Sequence, residues 1–186
     1  MKSNILAIDG GKPIRQNPLP PRINFCDCEL EMVKRVFENS WKTGVDFFSQ
    51  GKFEEEFTNK YCEFLGGGYA DAVSSGTAAV YIAFKALNIE PGSDVIVSPA
   101  TNPGGIMPIA LQDVKLIIPD SDPNTFNISP KEFEKSITPK TRAAVLTHLG
   151  GNAIDLDPII EIAKSKNIKI VEDCSQAHGT IYKGKK

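Results

Sequence analysis

Basic runs are missing from this chain. Its 21 Lys and Arg stand against 23 Asp and Glu, a formal net charge of −2, which argues against nucleic acid and an anionic membrane surface as main partners. No apolar stretch approaches the roughly 20 residues of a membrane span, and the opening MKSNILAIDGGKPIR has no apolar signal core. The expectation is a cytoplasmic protein with no membrane partner. Cysteine is scarce, at Cys26, Cys28, Cys62 and Cys174. Cys26 and Cys28 offer half a metal site, but no second close Cys or His pair completes a tetrahedron, so no metal and reduced thiols are expected. There is no Walker A loop and no GxGxxG. The second absence, with no acid to follow it, weighs against a nicotinamide dehydrogenase.

What remains is a chain of 186 residues, 41% hydrophobic, which supports one sizeable core and not two full domains. Residues 1–28, with GGKPIR and PLPPR, read as an extended arm. Asp27 is placed to cap a helix from Cys28 to Asn39 carrying Leu30, Val33 and Phe37 on one face. Residues 40–51 form a loop with Trp41, Phe47 and Phe48, aromatics that serve either an interface or the chain's own packing. The expected division is residues 1–51 as arm, helix and aromatic loop, and 52–186 as part of a ligand-binding domain.

A second helix begins near Lys52. Its stripe of Phe53, Phe57, Tyr61 and Phe64 is expected to be core. Strand-like runs then appear at Ala70–Val73, Asp94–Ser98, Val114–Ile118, Ala143–His148 and Ile168–Val171. Between them lie helical stretches at Thr77–Leu87, Ile106–Leu111, Pro130–Ser136 and Pro158–Lys166. Ser129 to Glu132 makes a capping box, and Asp157 is placed to cap the helix that starts with Pro158. Such alternation predicts a mainly parallel sheet in a three-layer α/β/α sandwich.

Two stretches carry chemistry. In VSSGTAA a strand end meets the turn Ser74-Ser75-Gly76 and a helix opening at Thr77. Free N–H groups at a helix N-terminus suit a phosphate, although Ser-Gly-Thr is equally an ordinary helix cap. In IKIVEDCSQAHG a short apolar run empties into Glu172 and Asp173, with Gln176 and His178 close behind. Carboxyl ends of parallel strands are where open α/β sheets bind ligands. A carboxylate there, downstream of a phosphate loop, fits a flat cationic heterocycle, and pyridoxal 5′-phosphate is that ligand. Its phosphate would take Ser75, Gly76 and Thr77, its ring nitrogen Asp173, and its hydroxyl side Gln176. His148, at a strand end beside Gly150 and Gly151, is a further candidate for cofactor or substrate contact, as is His178. A structural role is the alternative for both.

Several segments are similar to the DegT/DnrJ/StrS group of fold-type I, pyridoxal-phosphate-dependent sugar aminotransferases. They are GGKPIR, FEEEFTNKYCEFLGGGYADAVSSGTAA, PGSDVIVSPAT, HLGGNAIDLDPIIEIAK and VEDCSQAHGTIYKGK, in order across most of the chain. The resemblance implies cofactor contacts from Gly76, Thr77, Asp173 and Gln176, and a homodimer with sites at the subunit boundary. It implies amino transfer from an amino-acid donor to a nucleotide-linked keto-sugar or a keto-cyclitol. Where many members stack an aromatic residue or histidine on the ring, this chain has Asn102, followed by Pro103-Gly104-Gly105. The family's Schiff-base lysine lies beyond the Gln-Ala-His-Gly segment. Lys183, Lys185 and Lys186 match a surface turn instead. The expectation is therefore a truncated large domain without that lysine or the C-terminal small domain, inactive alone. The rivals are a sugar dehydratase of the same family, with histidine in the lysine's place, and a non-catalytic binding fragment.

Overall fold

The computed structural model describes residues 5–22 and 24–186; residues 1–4 and 23 of the expected arm lie outside the described residues. The chain divides into two compact units, Met1–Phe53 and Glu54–Lys186.

In the first unit a short 3-10 turn, Ala7–Asp9, precedes helix α1, Asp27–Thr43. Cys26, and not Asp27, is the cap. Its Sγ accepts from the Cys28 N–H at 3.4 Å, and Glu29 Oε2 accepts from the Cys26 N–H at 2.7 Å. Asp27 instead becomes the first helical residue, where its charge favours the positive helix end. This fold-back turns both sulfurs to one side, and Cys26 and Cys28 form a disulfide, contrary to the expected free thiols. Gly44, at φ +70°, ends α1 with its N–H on the Ser40 carbonyl. Leu30, Val33, Phe37 and Trp41 share one face of α1 and all are exposed. The aromatic loop packs on it in part, with Phe47 edge-on to Phe37 at 5.2 Å between centroids.

Helix α2, Lys52–Leu65, corrects the sequence expectation: it has no buried residue. Phe57 is 58% and Phe64 44% exposed. Phe57, Tyr61 and Phe64 stack on one another at 5.8 and 6.3 Å. Periodicity revealed an apolar face but not what covers it. Ala70–Val73, expected as a strand, is exposed and outside the sheet. A strand needs a hydrogen-bonded neighbour, and among the described residues Ala70–Val73 is paired with none.

The second unit is built on a parallel sheet in the order β2-β1-β3-β4. The strands are β1 (Ser93–Val97), β2 (Val114–Ile117), β3 (Thr141–Thr147) and β4 (Lys169–Asp173). The helices are α3 (Gly76–Ala86), α4 (Met107–Ala110), α5 (Pro130–Lys135) and α6 (Leu156–Ser165). Successive strand residues point to opposite faces. Val95, Val97, Ala143 and Val145 therefore pack with Val80 and Phe84 of α3 and Ile109 of α4. Ile96, Ala144 and Leu146 pack with Phe133 of α5 and Ile159 and Ala163 of α6. Helices cover both faces, as the alternation predicted. Ser129 caps α5 through the Glu132 N–H. At α6 the cap is Asp155, not Asp157. The Tyr182 hydroxyl bridges there, donating to Asp155 Oδ1 at 2.8 Å and accepting from the Asp157 N–H at 3.2 Å.

The two kinds of aromatic should respond differently to truncation. Phe133 is fully buried, so Phe133→Ala should cost about 3–5 kcal/mol in urea unfolding. Phe57→Ala should change stability by no more than about 0.5 kcal/mol. Similar losses for both would show that α2 is covered in solution.

Candidate functional site

Because the four strands run parallel, their carboxyl ends share one edge of the sheet. Loops leaving β1, β3 and β4 converge there. The β3–β4 register sets Thr147 opposite Asp173. Alternation turns Asp173, with Val171, to the α3 face and sends Glu172 to the α6 face.

Asp173 is 8% exposed. Its Oδ1 accepts from the Ser175 N–H at 3.0 Å and from the Ser175 hydroxyl. Among the described residues its Oδ2 has only the Thr147 hydroxyl, at 3.4 Å, which is long for such a bond. The carboxylate is thus anchored through one oxygen while the other keeps most of its capacity to accept. Close by, Thr101 Oγ1 is buried with no partner among the described residues, an arrangement that costs about 1–3 kcal/mol unless a further group bonds it.

Asp173 borders a cavity of about 270 Å³ that is also lined by Gly76, Thr77, Asn102 and Gln176. The structure therefore brings together five of the six cofactor candidates from the sequence. Ser75 does not line the cavity; its hydroxyl accepts from the Ala78 N–H at 3.1 Å. The cap role falls to Ser75, which leaves the N–H groups of Gly76 and Thr77 without intrahelical partners at the positive end of α3. Gln176 Oε1 accepts from the Gly150 N–H at 2.9 Å, so its amide NH₂ remains a donor. Asn102 Oδ1 accepts from the Gly104 N–H at 3.0 Å, which fixes its amide orientation in the same way. Free donors at one end of the cavity and a buried acceptor at the other suit a ligand with an anionic group and a protonated ring.

Sequence reasoning missed Gly104, Gly105 and Ser175, which also line this cavity. The glycines were visible after Asn102-Pro103, but only the fold shows which atoms approach them. Ser175 lies two residues past Asp173, a spacing that suits a local turn onto the carboxylate.

His148 and His178 are elsewhere. Both line a second cavity, about 720 Å³, on the α6 side with Tyr61, Glu172 and Cys174. His178 Nδ1 lies 3.1 Å from the Tyr61 hydroxyl. His148 is buried, with Nε2 3.1 Å from Glu172 Oε2, and its Nδ1 accepts from the Ile154 N–H at 3.0 Å. Cys174 and then Glu172 beside the ring favour its charged form and push its pKa up. The Ile154 N–H opposes that charge, since a protonated Nδ1 would face another donor. The hydrogen bonding decides for the neutral ring with its proton on Nε2. The ligand atoms of His148, Glu172 and Cys174 lie within 4.8 Å of one another. A cation there would need the Nε2 lone pair and a proton on Nδ1, which this bonding denies.

A parallel sheet with an acid at a strand's carboxyl end, facing a helix N-terminus across a cavity, defines an α/β ligand-binding domain. Residues 27–186 match the model of the DegT/DnrJ/EryC1/StrS aminotransferase family, and the chain belongs to that family. It is 33% identical to a putative L-glutamine:3-amino-2,3-dideoxy-scyllo-inosose aminotransferase of Streptoalloteichus tenebrarius, over 97% of this chain and 43% of the relative. It is 37% identical to GDP-perosamine synthase of Escherichia coli O157:H7, over 84% of this chain and 42% of the relative. The fold matches the crystal structure of the aminotransferase from Psychrobacter cryohalolentis with a TM-score of 0.80 and 32% identity, covering 90% of this chain and 42% of that one. The chain thus spans less than half the length of the curated relatives it matches.

The tautomer assignment is open to direct measurement. Imidazole ¹⁵N spectra at pH 7 should show His148 neutral and protonated on Nε2, with His148→Gln used to assign the signal. Two protonated nitrogens at that pH would contradict it.

Proposed function

We propose that this chain carries the cofactor seat of a pyridoxal 5′-phosphate-dependent aminotransferase. Asp173 carries the reading: a buried carboxylate with one anchored and one under-bonded oxygen, facing the α3 N-terminus across the cavity. The glycine-lined wall is consistent with a ligand there. In this reading Gly76 and Thr77 hold the phosphate through backbone N–H groups, the Thr77 hydroxyl and the helix dipole. Asp173 accepts from the protonated ring nitrogen and keeps it protonated. The Gln176 amide donates toward the ring hydroxyl. Asn102 takes the place of the aromatic residue that stacks on the ring in many members of the family, offering an amide plane. The bound cofactor supplies an electron sink for the carbon that exchanges its amino group.

Among the described residues no lysine lines this cavity; Lys183, Lys185 and Lys186 line the other one. The amine that would bear the cofactor belongs, in this proposal, to a longer polypeptide, as does the small domain that completes the enzyme. Residues 52–186 are then part of its large domain, with residues 1–51 as arm, helix and aromatic loop. This chain alone has no transferase activity. The substrates of the complete enzyme are a nucleotide-linked keto-sugar or a keto-cyclitol and an amino-acid donor, a choice supported by the two relatives. The exposed apolar face of α1 suits association into a homodimer. No helix among the described residues is long and apolar enough to cross a membrane. The proposal places the enzyme in the cytoplasm.

Pyridoxal phosphate at a hundred times its dissociation constant should stabilise the chain by about 2.7 kcal/mol, which corresponds to a rise of about 5–10 °C in melting temperature. Asp173→Ala removes a charge-assisted hydrogen bond worth about 1.5–3 kcal/mol, so affinity should fall about 10- to 150-fold. A wild-type chain whose melting temperature ignores the cofactor would favour a fragment that does not bind it.

A further inference from the structure

The turn Asn102–Gly105 touches both halves of the proposed seat, and two glycines make that approach feasible. Its conformation is set by other residues. Asn102 caps the 3-10 turn Pro103–Gly105, Pro103 opens it, and the Gly105 N–H donates to the Asn102 carbonyl at 2.9 Å. Neither Gly104 nor Gly105 has positive φ. The backbone would therefore accept any L residue at either position, and the demand for glycine comes from space alone.

That space is occupied by functional oxygens. A Cβ on Gly104 would lie 2.7 Å from Thr77 Oγ1. A Cβ on Gly105 would lie 2.9 Å from Thr101 Oγ1, 3.1 Å from Asp173 Oδ2 and 3.5 Å from Thr147 Oγ1. One glycine thus abuts the hydroxyl at the helix N-terminus, and its neighbour abuts the Thr101 hydroxyl and, slightly farther off, the open oxygen of the acid. Gly105 is buried, so a side chain there has no route to solvent. Asp173 is anchored through Oδ1, and an intruding methyl would displace Oδ2, the oxygen with the weaker hold.

We propose that Gly104 and Gly105 are positioning residues that set the separation and orientation of Thr77 and Asp173, and so determine how this chain seats its cofactor. The proposal rests on the pyridoxal-phosphate reading of the cavity. It assigns the departure after Thr101 a purpose: the Asn-Pro-Gly-Gly turn gives up a stacking ring and gains close backbone contact with both binding groups. Gly105 acts through Asp173, and Gly104 acts through Thr77.

The test is fluorescence titration of pyridoxal phosphate into the 186-residue chain and its variants, with melting temperatures measured in cofactor-free buffer. Gly105→Ala should weaken binding at least tenfold while leaving the cofactor-free melting temperature within a few degrees. Added to Asp173→Ala, it should cause no further loss, because both act on one carboxylate. If Gly105→Ala does not fold, Gly104→Ala decides through the same comparison with Thr77→Val, since its clash is with one hydroxyl. Binding within twofold of wild type for the glycine variants, alongside a large loss for Asp173→Ala, overturns the inference and leaves the site reading intact. Losses that multiply in the double variants overturn it as well. Wild-type binding by Asp173→Ala overturns both.

Discussion

The pairing of β3 with β4 is the constraint on which the rest of the structure depends. Thr147 lies opposite Asp173, and Leu146 lies opposite Glu172. Since side chains alternate across a strand, this register sends the two adjacent acids to opposite faces of the sheet. Asp173 joins Thr147 and the α3 side, where a helix N-terminus waits. Glu172 goes to the α6 side and meets His148. A slip of one residue would exchange them and put the wrong acid in each cavity.

The two acids also differ in their bonding. Asp173 is held by a local turn through Ser175 and keeps one oxygen under-bonded. Glu172 faces a buried imidazole whose other nitrogen is committed to the Ile154 backbone. The first arrangement leaves capacity for a ligand. The second uses its capacity to pin the β3 end to the loop before α6. Burial separates the two acids as well, since Asp173 is buried and Glu172 exposed.

Much of the second unit was legible in the sequence. The four apolar runs that became strands, and the helices between them, follow from alternation of period, capping serine and proline at the first helical turn. Gly76, Thr77, Asp173 and Gln176 were named from turn chemistry and strand-end logic and Asn102 from the family resemblance, and the five share one cavity. The failures have physical causes. Ala70–Val73 has strand-like composition but lies outside the sheet, and composition does not specify pairing. The aromatic stripe of α2 has helical spacing, yet spacing does not supply a covering surface. Asp157 and Asp27 are good capping residues one or two positions from the caps that formed. Tyr182, from a distant turn, helped decide one case, and the fold-back of Cys26 decided the other.

By itself the sequence determined the class of fold, the order of its elements and the residue types at the carboxyl ends of the strands, because these depend on interactions within a few residues. It also carried the family resemblance that the matched domain bears out. Only the tertiary structure decided which acid faces which cavity, that His148 and His178 line a different cavity from Asp173, and that Gly104 and Gly105 abut Thr77 and Asp173. Those outcomes rest on register and on contacts between segments distant in sequence. No local pattern encodes them, since a methyl group's space is defined by whatever packs against it.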